Sequence, residues 1–219
     1  MHPVLRLYED TFNNTAGEVR LPALPRMIFV VHGSMSIAGR AYTDGEAWHG
    51  ESAATLIPGK TGVTCWRWEL SLGDAAGVVP VGPGILSREK LSALLETIPK
   101  GELLMRGDSV AFPPGGCAYL HTHQGPGIRC LIEGGIRIET HGRSTCHGPG
   151  AAWYESGPDP VFAQAAADRP SRFIRVMILP RALLGKSSLQ LVNEEDKSKP
   201  RAQQYKIYVD APIARPGAG

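Results

Sequence analysis

Two histidines, His121 and His123, stand two residues apart in the stretch Cys117-Ala118-Tyr119-Leu120-His121-Thr122-His123. Side chains alternate along a strand, so an extended backbone puts both imidazoles on one face. Two imidazoles facing one way can chelate a single divalent ion. The stretch follows Gly115-Gly116 and runs into the turn Gln124-Gly125-Pro126-Gly127. The other histidines carry weaker signals. His141 and His147 lie in and after the turn Thr140-His141-Gly142-Arg143, His32 and His49 belong to the first half of the chain, and His2 is terminal. The four cysteines, Cys65, Cys117, Cys130 and Cys146, form no C-x-x-C pair and no zinc-finger spacing. They read as free thiols, with Cys65 and Cys130 acting as small hydrophobes in strands.

The elements that must position the histidine pair are strands. Among 219 residues there are 26 glycines and 18 prolines, recurring between short apolar runs, which is the punctuation of an all-β chain with many turns. The formal net charge of +2 gives no bulk electrostatic reason for a nucleic-acid or membrane partner. No apolar stretch approaches the roughly 20 residues of a membrane-spanning helix, and the first ten residues lack the apolar core of a signal peptide. The reading is a cytoplasmic protein with reduced thiols.

An internal repeat organises the strands. Phe29-Val30-Val31-His32-Gly33-Ser34-Met35-Ser36-Ile37 overlays Cys130-Leu131-Ile132-Glu133-Gly134-Gly135-Ile136-Arg137-Ile138. In the same order, Gly45-Glu46-Ala47-Trp48 matches Gly150-Ala151-Ala152-Trp153, and the strand from Thr64 to Leu70 matches the one from Arg172 to Leu179. Three ordered matches imply two similar β lobes. Between them Ser87 could cap a helix with Leu91, Leu94, Leu95 and Ile98 at helical spacing, stopped by Pro99 and Gly101. Beyond Pro180, Leu189–Val192 and Tyr205–Val209 could be strands, Glu194–Gln204 is a charged loop, and Ala214–Gly219 is expected to fray. Trp48, Trp66, Trp68, Trp153 and Phe173 are expected in the core.

The second lobe resembles a cupin. The first motif of that family is a glycine, five residues, His-x-His, three or four residues, a glutamate, six residues and a glycine. Gly115, His121, His123 and Gly134 match it in position, while Gly127 stands in the glutamate slot. Gly150 fits the start of the second motif, and its histidine slot falls on Val161. In the first lobe the His-x-His slot is Arg20-Leu21-Pro22 and the glutamate slot is Arg26, none of them a metal ligand. The resemblance spans about residues 17 to 180. It implies an all-β double-stranded β-helix, a jelly-roll barrel of two cupin-like lobes (a bicupin) with one connecting helix. The expected bounds are 1–85 for the first lobe, 86–103 for the helix, 104–183 for the lobe with His-x-His, and 184–219 for a C-terminal extension.

The resemblance also implies a site. A divalent metal (Fe, Mn, Zn or Ni) would be held by His121 and His123, with Glu155 preferred as third ligand over Gln164, His141 and His147. Strand parity inside a barrel turns Tyr119 and Cys117 inward with the histidines, and Gly127, Arg129 and Leu131 inward on the returning strand. A buried guanidinium needs a carboxylate. Arg129 would therefore pair with Glu155 or Asp159, or hold an anionic substrate, with Tyr119 as acid–base group. The function expected first is a metal-dependent enzyme acting on a small acidic or oxygen-rich molecule (dioxygenase-like, isomerase or lyase); the alternative is a non-catalytic small-molecule-binding or regulatory cupin with a degenerate metal site. The resemblance further implies a homodimer with a small-molecule partner.

Overall fold

The computed structural model describes residues 2–73 and 79–216; residues 217–219 of the expected frayed end lie outside them. The chain divides into two compact units. One holds the residues up to Glu96 and those from Ile213 onward, and the other runs Thr97–Pro212.

The first unit contains β1 (Pro3–Phe12), β2 (Val19–Leu21), β3 (Arg26–Ile37), β4 (Arg40–Thr43), β5 (Ala47–Gly50), β6 (Ala54–Leu72) and β7 (Ile85–Leu94). They join in the order β4-β3-β6-β1-β7, with β2 on β6 and β5 on β3. The β3–β6 register shifts after Val30 and again after Gly33. At Gly33 φ is +90°, and a Cβ there would lie 2.3 Å from the carbonyl oxygen of Gly62, so only glycine can make this corner. The bend lets Ile28 and Val30 on one side of it and Met35 and Ile37 on the other share one core with Leu56, Val63 and Cys65.

The second unit contains β8 (Leu103–Phe112), β9 (Cys117–His123), β10 (Gly127–Glu133), β11 (Ile136–Thr140), β12 (Arg143–His147), β13 (Ala152–Glu155), β14 (Val161–Ala165), β15 (Ser171–Pro180), β16 (Leu189–Leu191) and β17 (Gln204–Ile213). These form two five-stranded sheets, β13-β10-β15-β8-β17 and β12-β11-β14-β9-β16. Val110, Phe112, Leu131, Trp153 and Phe173 from the first sheet pack against Ala118, Ile136, Ile138, Val161 and Ala163 from the second. This is a sandwich whose inner faces meet in one core.

The sequence repeat is a structural one. The order β5-β3-β6-β1-β7 in the first unit corresponds strand for strand to β13-β10-β15-β8-β17 in the second. Matched residues make matched hydrogen bonds. Gly45 N donates to Val30 O at 2.9 Å and Gly150 N to Leu131 O at 2.7 Å, while Val30 N donates to Glu46 O and Leu131 N to Ala151 O.

The expected connecting helix is not formed. The segment with Ser87, Leu91 and Leu94 is β7, paired with β1 from Val4↔Leu94 to Phe12↔Ile85, and Leu95 N continues the ladder to Pro3 O at 2.8 Å. Leucines three and four apart imitate a helical stripe, but the free edge of β1 offers backbone partners along the whole segment, and such pairing overrides a short period. β7 is the counterpart of β17. Helical structure among the described residues is confined to two 3-10 turns, Arg181–Leu183 and Glu194–Ser198. No helix among them is long and apolar enough to cross a membrane.

Candidate functional site

The expected site residues His121, His123, Glu155 and Arg129 meet inside the second unit, around a cavity of about 20 Å³. All four are buried. The imidazoles of His121 and His123 are edge to face with centroids 4.9 Å apart, as the two-residue spacing on β9 requires. Their tautomers follow from their partners. Nδ1 of His121 lies 2.7 Å from the carbonyl oxygen of Tyr119. A carbonyl only accepts, so this nitrogen carries the proton and Nε2 the lone pair. Nε2 of His123 lies 3.4 Å from Nη1 of Arg175. A guanidinium only donates, so Nε2 accepts, and Nδ1–H is left to donate to Ser188 Oγ at 3.3 Å. Burial lowers the pKa of His121. Burial, then the positive charges of Arg175 and Arg129, push His123 well below the usual imidazole range. Both rings are neutral at physiological pH.

Two ion pairs surround the rings. Arg129 places Nη2 2.6 Å from Glu155 Oε2 and donates through Nη1 to Gly127 O at 2.7 Å. The other carboxylate oxygen of Glu155 accepts from Trp153 Nε1 at 2.9 Å. Arg175 grips Asp108 through two hydrogen bonds, Nε to Oδ1 at 2.6 Å and Nη2 to Oδ2 at 3.0 Å. Burial lowers the pKa of Arg129 to about 10, against the pull of Glu155. Burial acts on Arg175 too, but the two-pronged contact with Asp108 outweighs it and the net shift is upward. Both guanidiniums stay charged at neutral pH.

Parity holds on β10, where Arg129 and Leu131 face inward, and fails on β9. Val161 pairs with His121 but Ala163 pairs with Ala118, so β9 carries one extra residue between Ala118 and His121. This bulge reverses the alternation. Ala118 lines the cavity, whereas the Tyr119 ring lies under Lys199 Nζ at 5.1 Å. Tyr119 and Cys117 are not among the residues lining the cavity. The remaining ligand candidates are also occupied elsewhere: Gln164 accepts from Arg137, His141 faces Asp159, and His147 stacks on Trp153 at 4.8 Å.

Sequence reasoning missed Asp108, Arg175, Ser188 and Tyr205. Ser188 immediately precedes β16, which pairs with β9 through Leu189↔His123, and Tyr205 on β17 lies 5.8 Å from Arg175. The C-terminal segment thus closes the site. For Arg175 a signal existed: a charge inside the apolar strand Phe173-Ile174-Arg175-Val176-Met177, matched in the repeat by Arg67.

No family model matches the chain, and no curated protein is similar to it in sequence. Solved structures are similar in fold. A variant of oxalate decarboxylase from Bacillus subtilis superposes with a TM-score of 0.60 at 12% identity, covering 89% of this chain and 73% of that one. A cupin 2 conserved barrel domain protein from Leptotrichia buccalis gives 0.51 at 13% identity, covering 81% and 84%. A salicylate 1,2-dioxygenase from Pseudaminobacter salicylatoxidans gives 0.53 at 12% identity, covering 92% and 75%.

The fold is that of the cupins.

The sequence resemblance carries the expectation of a divalent metal, and the residues present can be tested against one. Among the described residues no group of three His, Cys, Asp or Glu side chains is arranged to hold a metal ion. The motif's glutamate slot has no room for a side chain, since a Cβ on Gly127 would lie 2.4 Å from Val176 O. Its histidine slot is the buried Val161. Glu155 is held by Arg129 and Trp153, and the lone pair of His123 faces Arg175. The charges of Arg129, Arg175, Asp108 and Glu155 already cancel, so a divalent ion would add two uncompensated charges beside two buried guanidiniums. This arrangement does not fit the metal.

Proposed function

We propose that this chain is a binding or regulatory cupin, in which an ion-pair and imidazole network replaces the metal centre and a small organic acid is taken up next to it. The observation that carries this reading is the Arg175 guanidinium on Nε2 of His123, the lone pair that a metal would need. A cavity of about 20 Å³ holds one water-sized atom, so an organic ligand has to bind outside it. An open groove of about 510 Å³ adjoins the cavity and shares Ile138 with it. Trp153, Tyr154 and His147 offer it aromatic surface, and Arg143 offers a positive charge. Trp153 links the groove to the network through Glu155. Purified protein is expected to contain no stoichiometric Fe, Mn, Ni or Zn by elemental analysis. Calorimetric titration with small aromatic and aliphatic acids is expected to find a ligand whose affinity falls about tenfold or more in Arg143→Ala. A stoichiometric metal that disappears in His121→Ala would overturn the reading.

One observation favours the metal-dependent enzyme instead. Both imidazoles keep their protons on Nδ1, held by Tyr119 O and Ser188 Oγ, which is how metal-ligating histidines are oriented. In that reading His121, His123 and Glu155 would hold a divalent ion, which would supply Lewis-acid or oxygen chemistry.

A further inference from the structure

Arg175 and Asp108 have no counterpart in the histidine motif, yet they form the most tightly bound pair in the second unit's interior. Asp108 is 2% exposed and Arg175 7%, and their strands pair at this point, Arg175↔Asp108. The same device stands in the first unit, which has no histidine motif at all. Arg67 occupies the repeat position of Arg175, and its guanidinium lies 2.6 Å from Asp10 on β1 and 2.7 Å from Glu69. A guanidinium at this position, bound to an aspartate of the neighbouring strand, is therefore a feature of both interiors. It does not depend on the presence of imidazoles. In the second unit alone its third face meets an imidazole nitrogen.

We propose that Arg175 is the built-in cation of the second unit: it stands in for a metal ion and is what keeps divalent metals out of the interior. It neutralises Asp108, caps Nε2 of His123, and raises the electrostatic cost of any further cation nearby. Removing this one side chain uncovers His123 Nε2 and frees the Asp108 carboxylate. With His121 and Glu155 that leaves two imidazoles and one carboxylate lining the small cavity, with the Asp108 carboxylate behind the side chain removed. The inference rests on the metal-free reading above and goes beyond it, because it assigns the exclusion to a single residue.

The test compares the wild type with Arg175→Leu and with Arg175→Leu/Asp108→Asn. The double variant leaves no bare buried carboxylate, so it guards against simple misfolding, and it retains the donors His121, His123 and Glu155. Co(II) is the probe, since bound Co(II) shows ligand-dependent visible absorption, and calorimetry gives the affinity. The wild type is expected to show no specific Co(II) bands. Arg175→Leu is expected to bind one Co(II) at least a hundredfold more tightly than the wild type, to be stabilised by it in thermal unfolding, and to lose it when His121 and His123 are also changed to Ala. Arg175→Lys, which retains a cation, is expected to stay metal-free. If the folded double variant and Arg175→Leu bind no more Co(II) than a metal-free wild type, Arg175 is not the barrier, although the binding reading survives. If the wild type itself binds one Co(II) through His121 and His123, both the barrier and the metal-free reading fall.

Discussion

The two interiors of this molecule solve the same problem with different groups. In the first unit Arg67 joins Asp10 and Glu69, Glu69 also holds Arg26 at 2.9 Å, and the Arg67 guanidinium covers the Tyr8 ring at 4.2 Å. Burial, then the nearby Glu89 carboxylate, raise the Tyr8 hydroxyl to about 12, so it stays neutral. Every strong charge there has its partner in the network. In the second unit the equivalent guanidinium also holds an aspartate, but two neutral imidazoles and a small cavity lie against it. The buried arginine is therefore common to both units, and the histidine pair is particular to the second. An ion pair on β1–β6 or β8–β15 is common to both units, while the two imidazoles stand on β9, whose slot in the first unit overlaps the three-residue β2.

Breaking the scaffold should have the largest effect. Arg67→Leu leaves Asp10 short of its main partner and Glu69 short of one of two, a loss of about 3–5 kcal/mol for stranded buried charge, read by chemical denaturation. Arg175→Leu should cost a similar amount without metal, and only that variant should regain stability with a divalent ion. If both variants respond alike to metal, the proposed difference between the interiors is wrong. Gly127→Glu, which restores the motif's missing carboxylate, comes next. The backbone of Val176 leaves no space for its Cβ, and overpacking of this kind costs roughly 1–3 kcal/mol. A stable Gly127→Glu variant would show that β10 and β15 can separate to admit a ligand. Trp153→Phe removes the donor to Glu155, a loss of about 1.5–3 kcal/mol for a hydrogen bond to a charged group. The repeat-matched Trp48→Phe should lose less, because Trp48 is only partly buried against its core.

The smallest effect should be that of pH. His121 and His123 have folded pKa values below the ordinary imidazole value of 6.5. Above that value neither state binds a proton, and the full stability is present. As the pH falls below it, the unfolded chain takes up protons first, so the second unit loses stability until the folded rings also titrate. Measured with chelator present, acid destabilisation between pH 6.5 and 5 should therefore be flattened in a His121→Gln/His123→Gln variant. An unchanged slope would place the proton uptake elsewhere.

Much of this architecture was legible in the sequence because duplication writes its pattern twice. The matches of Val30 with Leu131 and of Gly45 with Gly150 marked the strands that make equivalent hydrogen bonds. That Arg129 needs a negative partner followed from parity and from the cost of a lone buried guanidinium; that the partner is Glu155, not Asp159 or a bound anion, came from the structure. Legibility failed where partners are distant in sequence or the alternation breaks. β7 is a strand because β1, some eighty residues earlier, offers it an edge, and four apolar residues at helical spacing say nothing of that. One extra residue before His121 turned Tyr119 away from the cavity, and no propensity marks such a bulge. Arg175 was visible as a charge in an apolar strand, but its contact with His123 needs β9 and β15 to face each other across the core.

Anomalous diffraction from crystals grown with Mn, Fe, Ni and Zn present distinguishes an interior closed by Arg175 from one that holds a metal. Continuous density is expected for the Arg175 guanidinium from Asp108 to His123 Nε2, with no anomalous peak between the imidazoles. A peak within bonding distance of both Nε2 atoms, with Arg175 displaced from His123, would contradict the metal-free reading.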